Sequence, residues 1–469
     1  MWNLLPRTVI YRGLVLFFSI LLLAACDSDI RTVEAPGNES ADATDSGKSP
    51  AVHIDGVGTV TLVEGEGSVV IPLSVTRAAG RPGTGSISLT ARGATSTDEL
   101  ELSWEFEQNF LQPTESATNL TVQMSIGPRP IQPQIRTLLL SASDGVSPTG
   151  STQLNISIEP TDKPDVYLIV GQSNAVGFSE DNSKRPLIGQ PDAPNGRILQ
   201  LNVTGNDGSN FSSPADFTLA PNLYSISEPL TPAVDPLHTG YNSESMGKSG
   251  QRISFGLSFA KQALQDTTTD IYLVPAAWSD TGFCSRSTNP FRGAGWNATE
   301  KNNPALSGTL LHDRAIARAN ITLSLTGGIL RGILWHQGEA DSDSISCANV
   351  YEDNLVEVAN SLRANIAADA RGASARNADS DIPFIVGTMS KGADPRDSQL
   401  PFSAAKAIVD AAHRNVATTI PIAGFVNNDD FVPPAYPCGE GTCVHFGAQA
   451  LREMGFRYYD KLTTLLPQN

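Results

Sequence analysis

A serine that directly follows a short apolar segment is the first residue of the chain with catalytic potential. The segment covers residues 165–170 and leads into Gly171-Gln172-Ser173-Asn174. Because it is rich in β-branched residues, too short for a helix and bounded by a proline and a glycine, it predicts a buried strand of a parallel sheet. A serine at the carboxyl end of such a strand lies where open α/β sheets bind ligands. Ser173 is therefore a candidate nucleophile, although a serine that caps the following helix would give the same pattern.

Three later stretches also place polar residues at the ends of predicted elements. Gln337 follows an apolar segment and carries an amide N–H that suits an oxyanion. The turn at Ser279 and Asp280 follows another such segment and offers backbone N–H groups for the same purpose. His445 precedes the C-terminal helix pattern and could act as general base for a serine. Each stretch alone also fits an ordinary loop or a structural histidine, but in a parallel sheet such loops lie at one edge.

The order of these stretches resembles the sialate O-acetylesterase and acetylxylan esterase branch (carbohydrate esterase family 6) of the SGNH hydrolases. The resemblance covers residues 165–465, nearly all of the C-terminal part of the chain. The stretches that carry it are Gly171-Gln172-Ser173-Asn174, Val274-Pro275-Ala276-Ala277, Trp335-His336-Gln337-Gly338-Glu339 and His445-Phe446.

This resemblance implies a flavodoxin-like, three-layer α/β fold with a parallel sheet, and a serine esterase that removes O-acetyl groups from carbohydrate such as sialic acid or xylan. Ser173 would attack the acetyl carbonyl, and His445 would take its proton and later activate water. The acetylated carbohydrate would be the partner, with no metal and no organic cofactor. The implied oxyanion or substrate contacts are Gln172, Asn174, Ser279, Asp280, Gln337 and Glu339.

Two positions depart from the family pattern. Ser279 and Asp280 stand where the family usually has glycines, and Thr442 stands three residues before His445, where the family usually has an aspartate. A histidine without an acid partner loses its orientation. Glu440 is the candidate replacement for that acid. The alternatives are a backbone carbonyl, a Ser–His dyad without an acid, Asp429 and Asp430.

The N-terminus has the pattern of an export signal. Arg7 and Arg12 precede an apolar run over residues 14–23, which is short for a membrane span and ends in Ala24-Ala25-Cys26. This resembles the lipobox of bacterial lipoproteins, which implies a signal peptide over residues 1–25, cleavage before Cys26 and lipidation of its thiol. We expect an exported protein, anchored to a membrane by lipid and facing the periplasm or the cell exterior. An ordinary secretory signal is the alternative.

Composition divides the rest of the chain. Residues 26–50 are polar and small and predict a disordered tether. Residues 51–162 hold short, mostly alternating runs separated by turn residues, which predicts a β-sandwich of Ig-like or cadherin-like type. This sandwich would be a spacer or, alternatively, a module that binds carbohydrate or another partner. In residues 163–469 strands and helices alternate, which predicts a catalytic α/β domain.

Charge and cysteine content limit the function further. The net charge of −17 over 469 residues argues against nucleic-acid binding and against electrostatic docking to anionic lipid. In an oxidising compartment the four cysteines after Cys26 predict two disulfides, for which three pairings are possible. We favour Cys284–Cys347 with Cys438–Cys443, which would close a small loop; zinc binding is the alternative, although the spacing matches no common zinc site. Two rivals remain for the function: a lipase or thioesterase of the SGNH fold, and a surface lipoprotein that binds glycan or a partner without catalysis.

Overall fold

A computed structural model gives the structure of the protein. It describes residues 52–55, 58–65, 68–77, 85–96, 98, 102–124, 132–145, 149–177, 191–202, 229–238, 253–279, 281–284, 295–298, 310–367, 379–391, 403–431 and 444–465. All described residues belong to one compact unit, Pro50–Asn469. The predicted signal peptide, Cys26 and the predicted tether lie outside the described residues.

The N-terminal part of this unit consists of two sheets that share one apolar core. Its strands are β1 (Val52–Asp55), β2 (Thr59–Val63), β3 (Ser68–Arg77), β4 (Ile87–Gly93), β5 (Leu102–Phe106), β6 (Phe110–Leu111), β7 (Ala117–Met124), β8 (Gln134–Ser143) and β9 (Gly150–Glu159). The strand orders are β1-β3-β7-β5 and β2-β9-β8-β4-β6, and β2 and β9 are the parallel pair. Alternate residues of both sheets point into the common core, as the alternating runs predict. The Ig-like or cadherin-like type stays a prediction.

The C-terminal part contains a seven-stranded sheet in the order β12-β11-β13-β10-β14-β15-β16. Neighbouring strands are parallel except β11 and β12. The strands are β10 (Asp165–Gly171), β11 (Ile198–Leu201), β12 (Leu230–Pro232), β13 (Ile271–Ala277), β14 (Ile329–His336), β15 (Phe384–Gly387) and β16 (Ala423–Val426). Apolar runs in the sequence predict five of them, β10 and β13 to β16, over residues 165–170, 270–276, 330–335, 383–388 and 420–426. Edge strand β12 and its neighbour β11 lie in the polar stretch 178–250, whose short apolar runs do not stand out.

Helices cover both faces of this sheet. They are α1 (Ser173–Val176), α2 (Gly256–Ala263), α3 (Leu310–Thr326), α4 (Ile345–Ala348), α5 (Tyr351–Asn365), α6 (Ala404–Thr419) and α7 (Ala448–Thr463), with 3-10 turns at Asp341–Asp343 and Asp379–Asp381. Along β10, Val166, Leu168 and Val170 belong to the core under α3, α5 and α6. Tyr167 and Ile169 belong to the core under α2 and α7. A strand buried on both faces must be apolar throughout, which explains the continuous run. Among the described helices, none is long and apolar enough to cross a bilayer.

Backbone contacts bring the ends of three central strands together. Gln172 N–H donates to the His336 carbonyl at 2.9 Å, and Trp278 N–H donates to the Gly171 carbonyl at 3.0 Å. Gly171 has φ +132°, and a Cβ there would lie 2.1 Å from the His336 carbonyl oxygen. Only glycine fits this close approach. The ends of β10, β13 and β14, which precede the candidate residues, are therefore fixed against one another.

A buried ion-pair group joins the two parts of the unit at the other edge of the sheet. Arg331, near the start of β14, donates two hydrogen bonds to the Glu64 carboxylate, which follows β2. Its Nε also donates to Asp165 Oδ1, at the start of β10, at 2.6 Å. All three side chains are at most 1% exposed. The N-terminal sheets thus contact the amino ends of the strands whose carboxyl ends carry the candidate site.

Candidate active site

Ser173 and His445 form a hydrogen-bonded pair. His445 Nε2 lies 2.9 Å from Ser173 Oγ, although 272 residues separate them in the chain. Ser173 is the first residue of α1, and the preceding Gln172 takes the N-cap position, so the alternative in which Ser173 caps the helix is not observed. A serine hydroxyl that donates to an imidazole nitrogen is the arrangement of a nucleophile and its general base.

Asn174 is completely buried beside this pair, and its side-chain amide makes three hydrogen bonds. Its Nδ2 donates to Glu339 Oε1 at 2.7 Å and to the Val444 carbonyl at 3.2 Å. Its Oδ1 accepts from the Phe446 N–H at 3.2 Å. The amide therefore contacts the main chain on both sides of His445, and it lies within the protein rather than at a surface.

The Gln337 side chain is also buried and bonded internally. Its Nε2 lies 2.7 Å from Asp341 Oδ2, 3.1 Å from the Thr281 carbonyl and 3.2 Å from Gln172 Oε1. Since an amide nitrogen carries two hydrogens, these three acceptors share them. Gln172 Oε1 also accepts from the Ala340 N–H at 3.1 Å. Both glutamines thus connect the loops after β10, β13 and β14, and their contacts with an oxyanion or a substrate stay predictions.

Asp341 gathers donors from two of these loops, and the sequence analysis did not select it. Besides Gln337, its carboxylate accepts from the backbone N–H groups of Phe283 at 3.0 Å and Cys284 at 3.2 Å. It is 1% exposed. In the sequence, its only distinguishing feature was its place two residues after Glu339. Its two backbone donors, Phe283 and Cys284, are nearly sixty residues away in the chain, so the sequence alone did not pair them with it.

The predicted disulfide Cys284–Cys347 is present and closes the same region. Cys347 Sγ lies 2.9 Å from Asp341 Oδ1. Cys284, Asp341 and Cys347 hold potential metal-ligand atoms within 4.8 Å of one another. Because the disulfide engages both sulfurs, this group offers no thiolate to a metal ion. The second predicted disulfide, Cys438–Cys443, lies outside the described residues.

The turn after β13 is held by a buried histidine. Ala277 N–H donates to His238 Nε2 at 3.0 Å, and burial lowers the pKa of His238 to about 3, so the ring is neutral and can accept this bond. Ser279 is 7% exposed, and its hydroxyl has no hydrogen-bond partner among the described residues. Asp280 lies outside the described part of the chain. His238 is a second residue that the sequence analysis missed.

Glu339 and His336 are two further buried residues of the loop and strand end that contain Gln337. Burial raises the pKa of Glu339, whose Oε2 has no hydrogen-bond partner in the described part of the chain. Tyr458 donates to the Trp335 carbonyl at 2.7 Å and lies 3.1 Å from His336 Nδ1. Because the tyrosine proton is engaged, His336 Nδ1 donates to Tyr458 and its Nε2 faces Glu339 Oε1 at 3.8 Å. Burial lowers the pKa of His336 to about 3, so this ring is a neutral part of the core.

Two of the acids considered as partners of His445, Asp429 and Asp430, have basic partners of their own. Glu440 and Thr442 lie outside the described residues. Asp429 binds Arg414 at 2.7 Å and Lys391 at 3.0 Å. Asp430 binds Arg457 at 2.6 Å. Both alternative aspartates are thus engaged in ion pairs.

The family is established by comparison with known sequences. The family model described as "Carbohydrate esterase, sialic acid-specific acetylesterase" matches residues 163–464, which is well over half of the chain. The protein therefore belongs to this family and is a carbohydrate O-acetylesterase. A search of curated proteins finds no match.

Solved structures give distant similarities. A protein of Arabidopsis thaliana is 18% identical, with 65% of this chain and 100% of that chain covered and a TM-score of 0.44. NanS is 17% identical, with coverages of 64% and 97% and a TM-score of 0.44. A carbohydrate acetylesterase from Xanthomonas citri is 12% identical, with coverages of 89% and 75% and a TM-score of 0.41. The family membership rests on the family model and not on these three.

Proposed function

We propose that the protein is an exported serine esterase that removes O-acetyl groups from carbohydrate through an acyl-enzyme. The observation that carries the proposal is the 2.9 Å contact between Ser173 Oγ and His445 Nε2 at the carboxyl edge of a parallel sheet. The sheet, with helices on both faces, supports an SGNH-type, flavodoxin-like domain. The lipobox-like residues before Cys26 support a lipid anchor.

The proposed reaction has two halves. His445 Nε2 takes the Ser173 proton while Oγ attacks the acetyl carbon, and the imidazolium then protonates the departing sugar oxygen. This leaves an acetyl ester on Ser173. In the second half His445 deprotonates a water that attacks this ester, and acetate leaves as the serine recovers its proton.

The oxyanion of both tetrahedral intermediates requires N–H donors. We assign this role to the Ser173 backbone N–H, the turn at Ser279 and Asp280, and the Gln337 amide. In the structure Gln337 Nε2 lies between three internal acceptors, so it would have to exchange one of them for the oxyanion. Removal of one such donor typically lowers kcat about 10²- to 10³-fold.

The first test is removal of the nucleophile and the base. We expect Ser173→Ala and His445→Ala to lower kcat for p-nitrophenyl acetate about 10⁴-fold or more, and to similar extents, because the two groups act as a unit. The exposed residues Ser346 and His53 provide matched controls, Ser346→Ala and His53→Ala. Unchanged turnover by Ser173→Ala would refute the proposal.

The second test is substrate choice. O-acetylated sialic acid and acetylated xylan oligosaccharides should be hydrolysed faster than esters or thioesters with long acyl chains. Preference for the long chains would instead indicate a lipase or thioesterase. Binding of glycan by the full chain without any turnover would indicate a binding protein.

A further inference from the structure

We infer that Asn174 is a positioning residue that fixes His445 against Ser173, and that it does not contact the substrate; this rests on the proposed function of that pair. Asn174 follows the nucleophile directly and is 0% exposed. Its three partners lie on the loop after β14 and on the segment that carries His445. Asn174 donates to Glu339 and Val444 and accepts from Phe446, and we call this set of three hydrogen bonds the Asn174 bridge.

The partners determine how the amide is oriented. A carboxylate oxygen and a carbonyl oxygen lie against Nδ2, and a backbone N–H points at Oδ1. The reversed amide would set its oxygen against two acceptors and its nitrogen against a donor, so all three contacts exclude it. Asn174 thus supplies two donors and one acceptor in a fixed arrangement.

The bridge sets the position of the base through the main chain. Val444 and Phe446 are the two neighbours of His445, and the same amide binds both. The backbone of His445 is therefore held by a residue adjacent to Ser173, which limits the distance between Nε2 and Oγ. A displacement of about 1 Å between reacting groups can cost about 10²-fold in rate.

Glu339 is the third partner in the Asn174 bridge. Its Oε1 accepts from Asn174, and its side chain is 7% exposed. This carboxylate ties Asn174 to the loop that contains Gln337, and so joins three loops at one amide. Since Glu339 reaches His445 through Asn174, it is also a positioning residue.

The test begins with two replacements of Asn174. Asn174→Ala removes all three bonds, and we expect kcat for p-nitrophenyl acetate to fall about 10²-fold with KM changed less than about 2-fold. Asn174→Asp should be at least as harmful, because its carboxylate would face both Glu339 and the Val444 carbonyl. Asn415→Ala is the matched control, since Asn415 also donates to a glutamate, Glu352, at 2.6 Å, but at an exposed position.

A swap variant tests the bond to Glu339. Asn174→Asp combined with Glu339→Gln keeps the net charge and reverses the donor and the acceptor. We expect kcat of this double variant to be at least about 5-fold higher than kcat of Asn174→Asp, because the effects of replacing two residues in direct contact are not additive. If Asn174→Ala does not fold, the comparison between Asn174→Asp and the double variant tests the inference instead. No recovery in a folded swap variant would overturn the role of the bridge.

A reagent that reacts with Ser173 without binding in a sugar site can show whether Asn174 positions His445 or contacts the substrate. The rate at which an organophosphate ester labels Ser173 should fall in Asn174→Ala by the same factor as kcat. A normal labelling rate with a raised KM would show that Asn174 binds substrate, which contradicts the inference. Failure of the proposed function gives a different result, because Ser173→Ala would then keep its turnover and wild-type Ser173 would not be labelled.

Discussion

At the scale of single residues, the site depends on buried carboxylates that hold backbone and amide donors rather than substrate. Asp341 is the clearest case, since it accepts from Gln337 and from two backbone N–H groups. A buried acceptor of this kind fixes its donors because losing the bond leaves them unpaired. Asp341 therefore sets the position of the proposed oxyanion donor.

Replacement of Asp341 should affect both stability and rate. In Asp341→Asn one carboxylate oxygen becomes an NH2 group that must face a donor. We expect a loss of about 1–3 kcal/mol in the free energy of unfolding and about a 10-fold or larger drop in kcat, measured by denaturant titration and p-nitrophenyl acetate turnover. Asp343→Asn, an exposed position in the same 3-10 turn, should change neither.

Asp235 gives the protein a defined pH dependence. Its Oδ1 accepts from the Ser254 N–H at 3.1 Å and hydroxyl at 2.7 Å, and burial raises its pKa from 3.8 to about 7. Between these values the folded state binds a proton that the unfolded state has released. Stability from this group is thus complete below pH 4 and is lost as the pH rises through 7.

The measurement compares the wild type with Asp235→Asn, which cannot titrate at this position. The unfolding free energy of the wild type minus that of the variant should fall by up to about 4 kcal/mol between pH 4 and 8. The buried histidines titrate alike in both proteins, so their effect cancels. A difference that stays flat with pH would contradict the assignment.

At the scale of elements, the close contact between the ends of β10 and β14 decides whether the catalytic loops meet. In Gly171→Ala the new Cβ would meet the His336 carbonyl, and the residue would keep a positive φ. We expect a loss of about 3 kcal/mol by thermal or denaturant unfolding. Gly327→Ala has a positive φ but open space, so it should cost only about 1–2 kcal/mol.

The sequence predicted the elements better than the contacts between them. Continuous apolar runs identified the central strands because burial on both faces leaves no polar position. The sequence predicts a helix over residues 356–368, but helix α5 begins five residues earlier, at Tyr351. Residues 351–354 are aromatic or polar, so they do not show the apolar period. Asp341 and His238 could not be selected, because their roles come from backbone donors far along the chain.

At the scale of the whole molecule, the ion-pair group of Arg331, Glu64 and Asp165 links the N-terminal sheets to the central strands. Burial lowers the pKa of Arg331, but the two carboxylates raise it more, so the guanidinium stays charged. Two carboxylates share this single cation, and burial raises the pKa of Asp165. Breaking such a group leaves uncompensated buried charge.

Arg331→Met should therefore destabilise both parts of the unit. We expect a loss of about 3–5 kcal/mol in unfolding free energy. Calorimetry should show a single unfolding transition for the wild type. For the variant it should show a second, separate transition at a lower temperature. Asp270→Asn removes a carboxylate that lies 3.6 Å from Arg197 at a half-exposed site, and it should cost less than about 1 kcal/mol.

The bond between Ser173 and His445 also has a consequence for how the protein matures. It joins residues 272 positions apart, and the intervening chain supplies six strands of the sheet, β11 to β16, and the helices α2 to α6. Contacts of such long range form late, because the loop between them must close first. Recovery of esterase activity during refolding should thus lag behind recovery of helical circular dichroism. A chain released before residue 445 should acquire most of its secondary structure and no hydrolytic activity.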